Sequence, residues 1–213
     1  MLELAAKSLL SYLLGALMGS LVIGWLRGGI DIREMGSGNA GGTNALRTQG
    51  VLFALGVVII DVAKGWIAAR FLPLAVLPGV PLDPTLERTW LAAACALSVV
   101  IGHIYPVWFD FRGGKGGATL VGATLGIEPS AIFPALAVWL IVAMLTGFVG
   151  LSTICGALTL AVTVAFFLEP HRDAYTALFI ATAVLVTFAH RDNIERMLAG
   201  TESRARRLWL FGR

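Results

Sequence analysis

The chain has 213 residues, 57% of them hydrophobic and 14% charged, with a formal net charge of +3 and a mean hydropathy of +0.82. A soluble domain carries about 25% charged residues, so this chain cannot cover a water-facing surface. Soluble enzymes, secreted disulfide scaffolds and nucleic-acid-binding modules are excluded, and the basic surplus is assigned to membrane topology rather than to nucleic acid.

In chain order, apolar runs predict helices over 4–26, 51–72, 89–109, 118–127, 130–146, 148–168 and 175–189. The first run contains Lys7, is long for a signal-peptide core and has no small-x-small cleavage site after it. It is therefore expected to stay as the first membrane helix. Its Gly15 and Gly19 form a small-xxx-small pair suited to close helix packing. Cys95 and Cys155 fall inside apolar runs and read as small buried hydrophobes. The run at 118–127 is too short to cross about 30 Å of hydrocarbon unaided, so it is either re-entrant or shielded by other helices.

Charge decides the parity. If all seven runs cross, 27–50, 110–117 and the tail from His190 share one side. They carry Arg27, Arg33, Arg47, Arg112, Lys115, Arg191, Arg196, Arg204, Arg206, Arg207 and Arg213, which is 11 of the 16 basic residues. Lys7, Arg88, Arg172 and Arg70 fall opposite. The positive-inside rule then puts the three polar segments in the cytoplasm. The expected architecture is an all-α integral membrane protein of about seven transmembrane helices, N-terminus outside and C-terminus cytoplasmic. It forms a single domain over 1–213, with 203–213 a basic interfacial tail in which Arg206, Arg207 and Arg213 alternate with Leu208, Trp209, Leu210 and Phe211.

Three polar segments carry the candidate chemistry. The first is Gly36-Ser37-Gly38-Asn39-Ala40-Gly41-Gly42-Thr43-Asn44, followed by Arg47. Glycines free backbone N–H groups, and the Ser, Thr and Asn side chains add donors, a combination that cradles phosphate. It is neither a P-loop nor a dinucleotide fingerprint, and a flexible linker has the same composition. The second, Arg112-Gly113-Gly114-Lys115-Gly116-Gly117, suits a bound anion or a tight turn with topology charges. The third runs from His190-Arg191-Asp192-Asn193 to Arg196 and then Gly200-Thr201-Glu202. It offers a candidate general base with an amide one turn later, or a solvated helix end capped by cations. Together they point to an anionic ligand with two phosphate groups. Asp61 and Lys64, one turn apart inside a span, read as a structural pair, and His103 reads as a buried, satisfied histidine.

These residues resemble a known family. The segments 36–47, 102–116 (Gly102-His-Ile-Tyr-Pro-Val-Trp-Phe-Asp-Phe-Arg-Gly-Gly-Lys-Gly116) and 190–202 are similar, in order, to the bacterial acyl-phosphate:glycerol-3-phosphate acyltransferases of the PlsY type. The resemblance covers the chain from the first helix to Glu202. It implies transfer of a fatty acyl group from acyl phosphate to the 1-hydroxyl of glycerol 3-phosphate. The products are lysophosphatidic acid and phosphate, in phospholipid synthesis at the bacterial inner membrane. The implied partners are the two substrates and the lipid bilayer, with no nucleic acid, cofactor or metal. It implies catalytic roles for Ser37, Lys115, His190 and Asn193. Substrate binding falls to Asn39, Thr43, Asn44, Arg47, Gly113, Gly114 and Thr153, and a structural role to Glu202. Departures are Gly42 where the family has Ala and Ala189 where it has Lys; the family's Ser at the start of the sixth helix falls on Thr153, which keeps the hydroxyl, or, one residue back, on Ser152. Two routes exist for deprotonating the hydroxyl, to His190 or to the donor's own phosphate, and the second is favoured. A transporter for a phosphorylated solute would also place cations at the mouth of a bundle, but no inverted repeat is visible.

Overall fold

The computed structural model describes residues 1–167, 172–206 and 208–212. Arg207, Arg213 and Leu168, which enter the expectations above, lie outside the described residues, as does the side chain of Arg172. The described residues are helical and contain no strand. They form two compact units, Met1–Ile127 and Glu128–Arg213.

The first unit contains α1 (Leu2–Gly15), α2 (Gly19–Leu26), α3 (Gly42–Gln49), α4 (Val51–Arg70), α5 (Arg88–Ile104) and α6 (Gly117–Ile127). The run at 4–26 is therefore two helices meeting at 45°, not one. A helix break inside a membrane leaves backbone groups without partners, and each costs several kcal/mol in hydrocarbon. Here α4 supplies them. Lys64 Nζ donates to the Leu17 carbonyl at 2.7 Å, Asp61 Oδ1 accepts from Gly19 N at 3.3 Å, and the two side chains pair at 2.9 Å. The intramembrane ion pair is thus the cap of the break.

α1 crosses α5 at backbone contact. A Cβ on Gly15 would strike the Val99 carbonyl, and one on Gly102 would strike the Tyr12 carbonyl, so only glycine permits this approach. At the opening turn of α1, buried Glu3 accepts from Lys7 at 2.8 Å, from both Arg88 Nη atoms at 2.6 and 3.0 Å, and from Asp83 N at 2.8 Å. Lys7 also reaches the Pro73 carbonyl at 2.8 Å. α6 packs along α4.

The second unit contains α7 (Ile132–Thr146), α8 (Val149–Phe167), α9 (Arg172–Ala189) and α10 (Arg191–Leu198). α8 packs between α7 and α9, and α10 contacts both α8 and α9. The tail folds back on the α7–α8 turn. Ala205 N donates to the Gly147 carbonyl at 2.8 Å, Leu210 N to Met144 O at 3.0 Å, and Arg204 stacks on Phe148 and Trp209.

By length and composition, four helical segments can cross a membrane, Val51–Leu74, Arg88–Phe109, Pro129–Thr146 and Val149–Phe167. Six can if each bent pair, α1 with α2 and α9 with α10, is one span. α6, the seventh apolar helix, has 11 residues and rises only about 16 Å.

Candidate functional site

The glycine-rich stretch after α2 is ordered rather than a flexible linker, and part of it is helix. Thr43, Asn44 and Arg47 lie on α3, which begins after Gly41 and stops at Gly50 with φ +85°. The hub is Asn44, 2% exposed. Its Nδ2 donates to the carbonyls of Ile32 (2.8 Å), Met35 (3.0 Å) and Asn39 (3.0 Å), and its Oδ1 accepts from Ser37 N at 3.0 Å. Asn39 closes the turn, its Oδ1 accepting from Gly41 N at 2.9 Å, an Asx turn. Both amide atoms of Asn44, and Oδ1 of Asn39, thus shape the segment. Ser37, Thr43 and Arg47 are the exposed members.

Within the first unit this segment is tied to the second one. Arg33 grips Asp31 through Nε and Nη2, donates from Nη1 to the Phe109 carbonyl at 3.3 Å, and lies over the Phe109 ring. The Arg33 guanidinium holds the Asp31 carboxyl below its usual range, and Asp31 in turn raises Arg33. The sequence reading missed this clamp. Its signal was Asp31 two residues before Arg33, beside the glycine segment.

After Phe109 the chain turns through two consecutive left-handed residues, Asp110 (φ 55°) and Phe111 (φ 57°). Non-glycine residues held there store strain that the surrounding structure must over-determine. The turn lays Gly113 and Gly114 on the end of α5. Gly113 N donates to Ile104 O at 3.2 Å and Gly114 N to His103 O at 3.0 Å. Gly114 and Gly116 are buried on either side of half-buried Lys115. His103 is 2% exposed, but it is not satisfied as expected. Its Nδ1 stands 3.5 Å from Asp61 Oδ1, too far for a formed hydrogen bond, and has no other hydrogen-bond partner.

In the second unit, His190 is buried where α9 ends and the chain bends 55° into α10. Its Nδ1 lies 2.8 Å from the Val186 carbonyl. A carbonyl only accepts, so Nδ1 carries the proton, and in the neutral ring Nε2 carries the lone pair. Asn193 Nδ2 donates to Glu202 Oε1 at 2.7 Å, and Arg196 Nε to Glu202 Oε2 at 2.7 Å, so both carboxylate oxygens hold α10 residues. Gly150 of α8 faces this pair. A Cβ there would sit 3.3 Å from atoms of both His190 and Asn193. Thr153 lies about 60° around α8 from Gly150, and Ser152 about 160°. Thr153 Oγ1 donates to Val149 O and accepts from Trp139 Nε1.

The structure thus joins Ser37, Asn39 and Asn44 directly, links their segment to the one carrying Gly113, Gly114 and Lys115, and separately groups His190, Asn193 and Glu202. Among the described residues no three His, Cys, Asp or Glu side chains could together hold a metal ion.

Comparison with known proteins gives one answer. Residues 5–200 match the family model for glycerol-3-phosphate acyltransferase. The glycerol-3-phosphate acyltransferase of Laribacter hongkongensis is 40% identical over 93% of this chain and 94% of its own. That of Synechococcus elongatus is 39% identical over 96% and 95%. The crystal structure of PlsY, an integral membrane glycerol 3-phosphate acyltransferase, in its glycerol 3-phosphate form superposes with a TM-score of 0.81 at 32% identity, covering 94% of each chain. Its lysophosphatidic acid form gives 0.79 at 31%. With both sequence and fold in agreement over nearly its full length, the chain belongs to the glycerol-3-phosphate acyltransferase family.

Proposed function

We propose that this chain transfers a fatty acyl group from acyl phosphate to the 1-hydroxyl of glycerol 3-phosphate, releasing lysophosphatidic acid and inorganic phosphate at the start of phospholipid synthesis. The hydroxyl oxygen attacks the acyl carbonyl carbon, and the bond from that carbon to the phosphate oxygen breaks. Phosphate leaves with the electron pair. A mixed anhydride has a good leaving group, so acyl transfer needs little from the protein beyond positioning.

The observation that carries the reading is the ordered glycine-rich segment of the first unit, built on Asn44 and clamped by Arg33 to the turn before Lys115. It supports a phosphate cradle in which Ser37 and Thr43 add hydroxyls. In the first unit Arg47 and Lys115 are assigned to the phosphate of glycerol 3-phosphate, and Gly113 and Gly114 allow close backbone approach. The resemblance to the family assigns Thr153, His190 and Asn193 of the second unit to glycerol 3-phosphate as well. The basic-residue count supports seven crossings of a bacterial inner membrane, with these segments on the cytoplasmic side.

The Val186 carbonyl turns His190 Nε2 outward from its helix backbone, which suits either accepting the hydroxyl proton or orienting the hydroxyl for transfer to the donor's phosphate. We favour the phosphate. In proteoliposomes, acyl phosphate and glycerol 3-phosphate should give acylated product and free phosphate. Uptake of glycerol 3-phosphate without product would make the chain a transporter. If His190 is the base, the acid limb of the kcat–pH profile disappears in His190→Gln. If the phosphate is the base, the limb survives.

A further inference from the structure

Lys115 owes its position to a stack of contacts that begins deep in the first unit. Asp61 is fixed by Lys64 and by Gly19 N at the break between α1 and α2. Its Oδ1 stands 3.5 Å from His103 Nδ1. The opposite edge of the same ring lies directly under Gly114. A Cβ on Gly114 would run into Nε2 and stand 2.9 Å from Cε1 and 3.1 Å from Cδ2. Gly113 is pressed equally hard on the His103 and Ile104 carbonyls and on Pro106. On the far side of Lys115, Gly116 turns with φ +84° against Ile104 and Val100. The loop is therefore pinned before and after Lys115, and the imidazole is its floor.

We propose that His103 is a positioning residue for Lys115. Its ring, packed under Gly114 with Nδ1 3.5 Å from Asp61 Oδ1, sets the height of the Gly113–Gly114 backbone and so the point at which the Lys115 ammonium meets the substrate phosphate. The proposal rests on the assignment of Lys115 to glycerol 3-phosphate. A floor raised or removed by about 1 Å displaces the cation without touching the reacting carbonyl. The effect is expected in KM for glycerol 3-phosphate rather than in kcat.

The test is a cycle of His103→Asn, Gly114→Ala and the double variant, with Lys115→Ala as the reference, assayed as purified full-length protein with acyl phosphate. Asparagine keeps a donor where Nδ1 stood and deletes Nε2 and Cε1. Each single variant should raise KM for glycerol 3-phosphate about tenfold with kcat within about threefold. In the double variant the new Cβ fills the space left by the ring, so its KM should be no higher than that of the worse single variant. If close approach of substrate to its backbone is the whole role of Gly114, filling that space rescues nothing, and multiplied effects overturn the proposal. So does an unchanged KM in His103→Asn with a lowered unfolding temperature, which marks a purely structural histidine. If His103→Asn does not fold, an unchanged KM in Gly114→Ala still overturns the proposal, because the new Cβ must displace either the loop or the His103 ring. An unchanged KM in Lys115→Ala refutes the assignment of Lys115 itself, which is a separate failure.

Discussion

Replacing Asn44 with alanine should loosen the first glycine-rich segment in the absence of any substrate. The side chain serves four backbone groups: the amide of Ser37 and the carbonyls of Ile32, Met35 and Asn39. At a net value of about 1 kcal/mol per hydrogen bond, rising to about 1–3 kcal/mol where a buried partner is orphaned, the full set is worth about 4–6 kcal/mol. Only the bond to the Ile32 carbonyl is fully buried. The other three partners can recruit water, so the net loss is about 2–3 kcal/mol. That multiplies the population of the locally open segment about 30- to 150-fold. Amide hydrogen exchange read by mass spectrometry checks it, with a peptide spanning 32–44 compared against a peptide from α4 as internal control. Exchange should accelerate by that factor in the first and not in the second. Asn44→Asp should do at least as much damage, because it turns a donor facing three carbonyls into a negative charge. If exchange over 32–44 is unchanged in Asn44→Ala while KM rises, the amide acts by touching substrate and the structural reasoning is refuted.

Arg47→Ala and Lys115→Ala should each raise KM for glycerol 3-phosphate about 10- to 150-fold, the loss of a charge-assisted contact of about 1.5–3 kcal/mol, with kcat falling less than kcat/KM. No change in either would move the phosphate site elsewhere. Glu202→Gln should lower the thermal unfolding midpoint, since an amide cannot accept from both Asn193 and Arg196. A midpoint equal to wild type would show that the tail is not held this way. A reporter fused after residue 213 should be cytoplasmic and one before residue 1 external. Both on one side would mean that α6 does not cross.

The apolar runs located the long helices to within a few residues, because burial in lipid imposes a length that composition alone reveals. What the runs could not reveal was the break after Gly15. No proline marks it, and the groups that satisfy it, Asp61 and Lys64, lie more than 40 residues further on. In hindsight a charged pair inside the next span was the signal of backbone needing partners. The helix over Thr43–Arg47 was obscured by the glycines that precede it. The roles of Asn44 and His103 illustrate a second limit. A donor that binds phosphate and a donor that binds its own backbone look the same in a sequence, and only the positions of three carbonyls or one loop distinguish them. Composition and order of the polar segments pointed to the family; their internal wiring required coordinates.

The ion pairs of α1 and α4 also bear on how the protein enters the membrane. Glu3 and Lys7 are four residues apart on one helix, and Asp61 and Lys64 three apart on another. Their remaining partners, Arg88 and His103, belong to α5, which leaves the ribosome later. Each pair thus lies within a single helix and can form as that helix reaches the bilayer, and the contacts with α5 form afterwards. An unpaired Asp or Lys at the centre of an inserting helix costs about 2.5–3.5 kcal/mol. Removing Asp61 or Lys64, near the middle of α4, should therefore reduce the fraction of chains that insert at all, a loss of yield at synthesis rather than a defect in the finished enzyme.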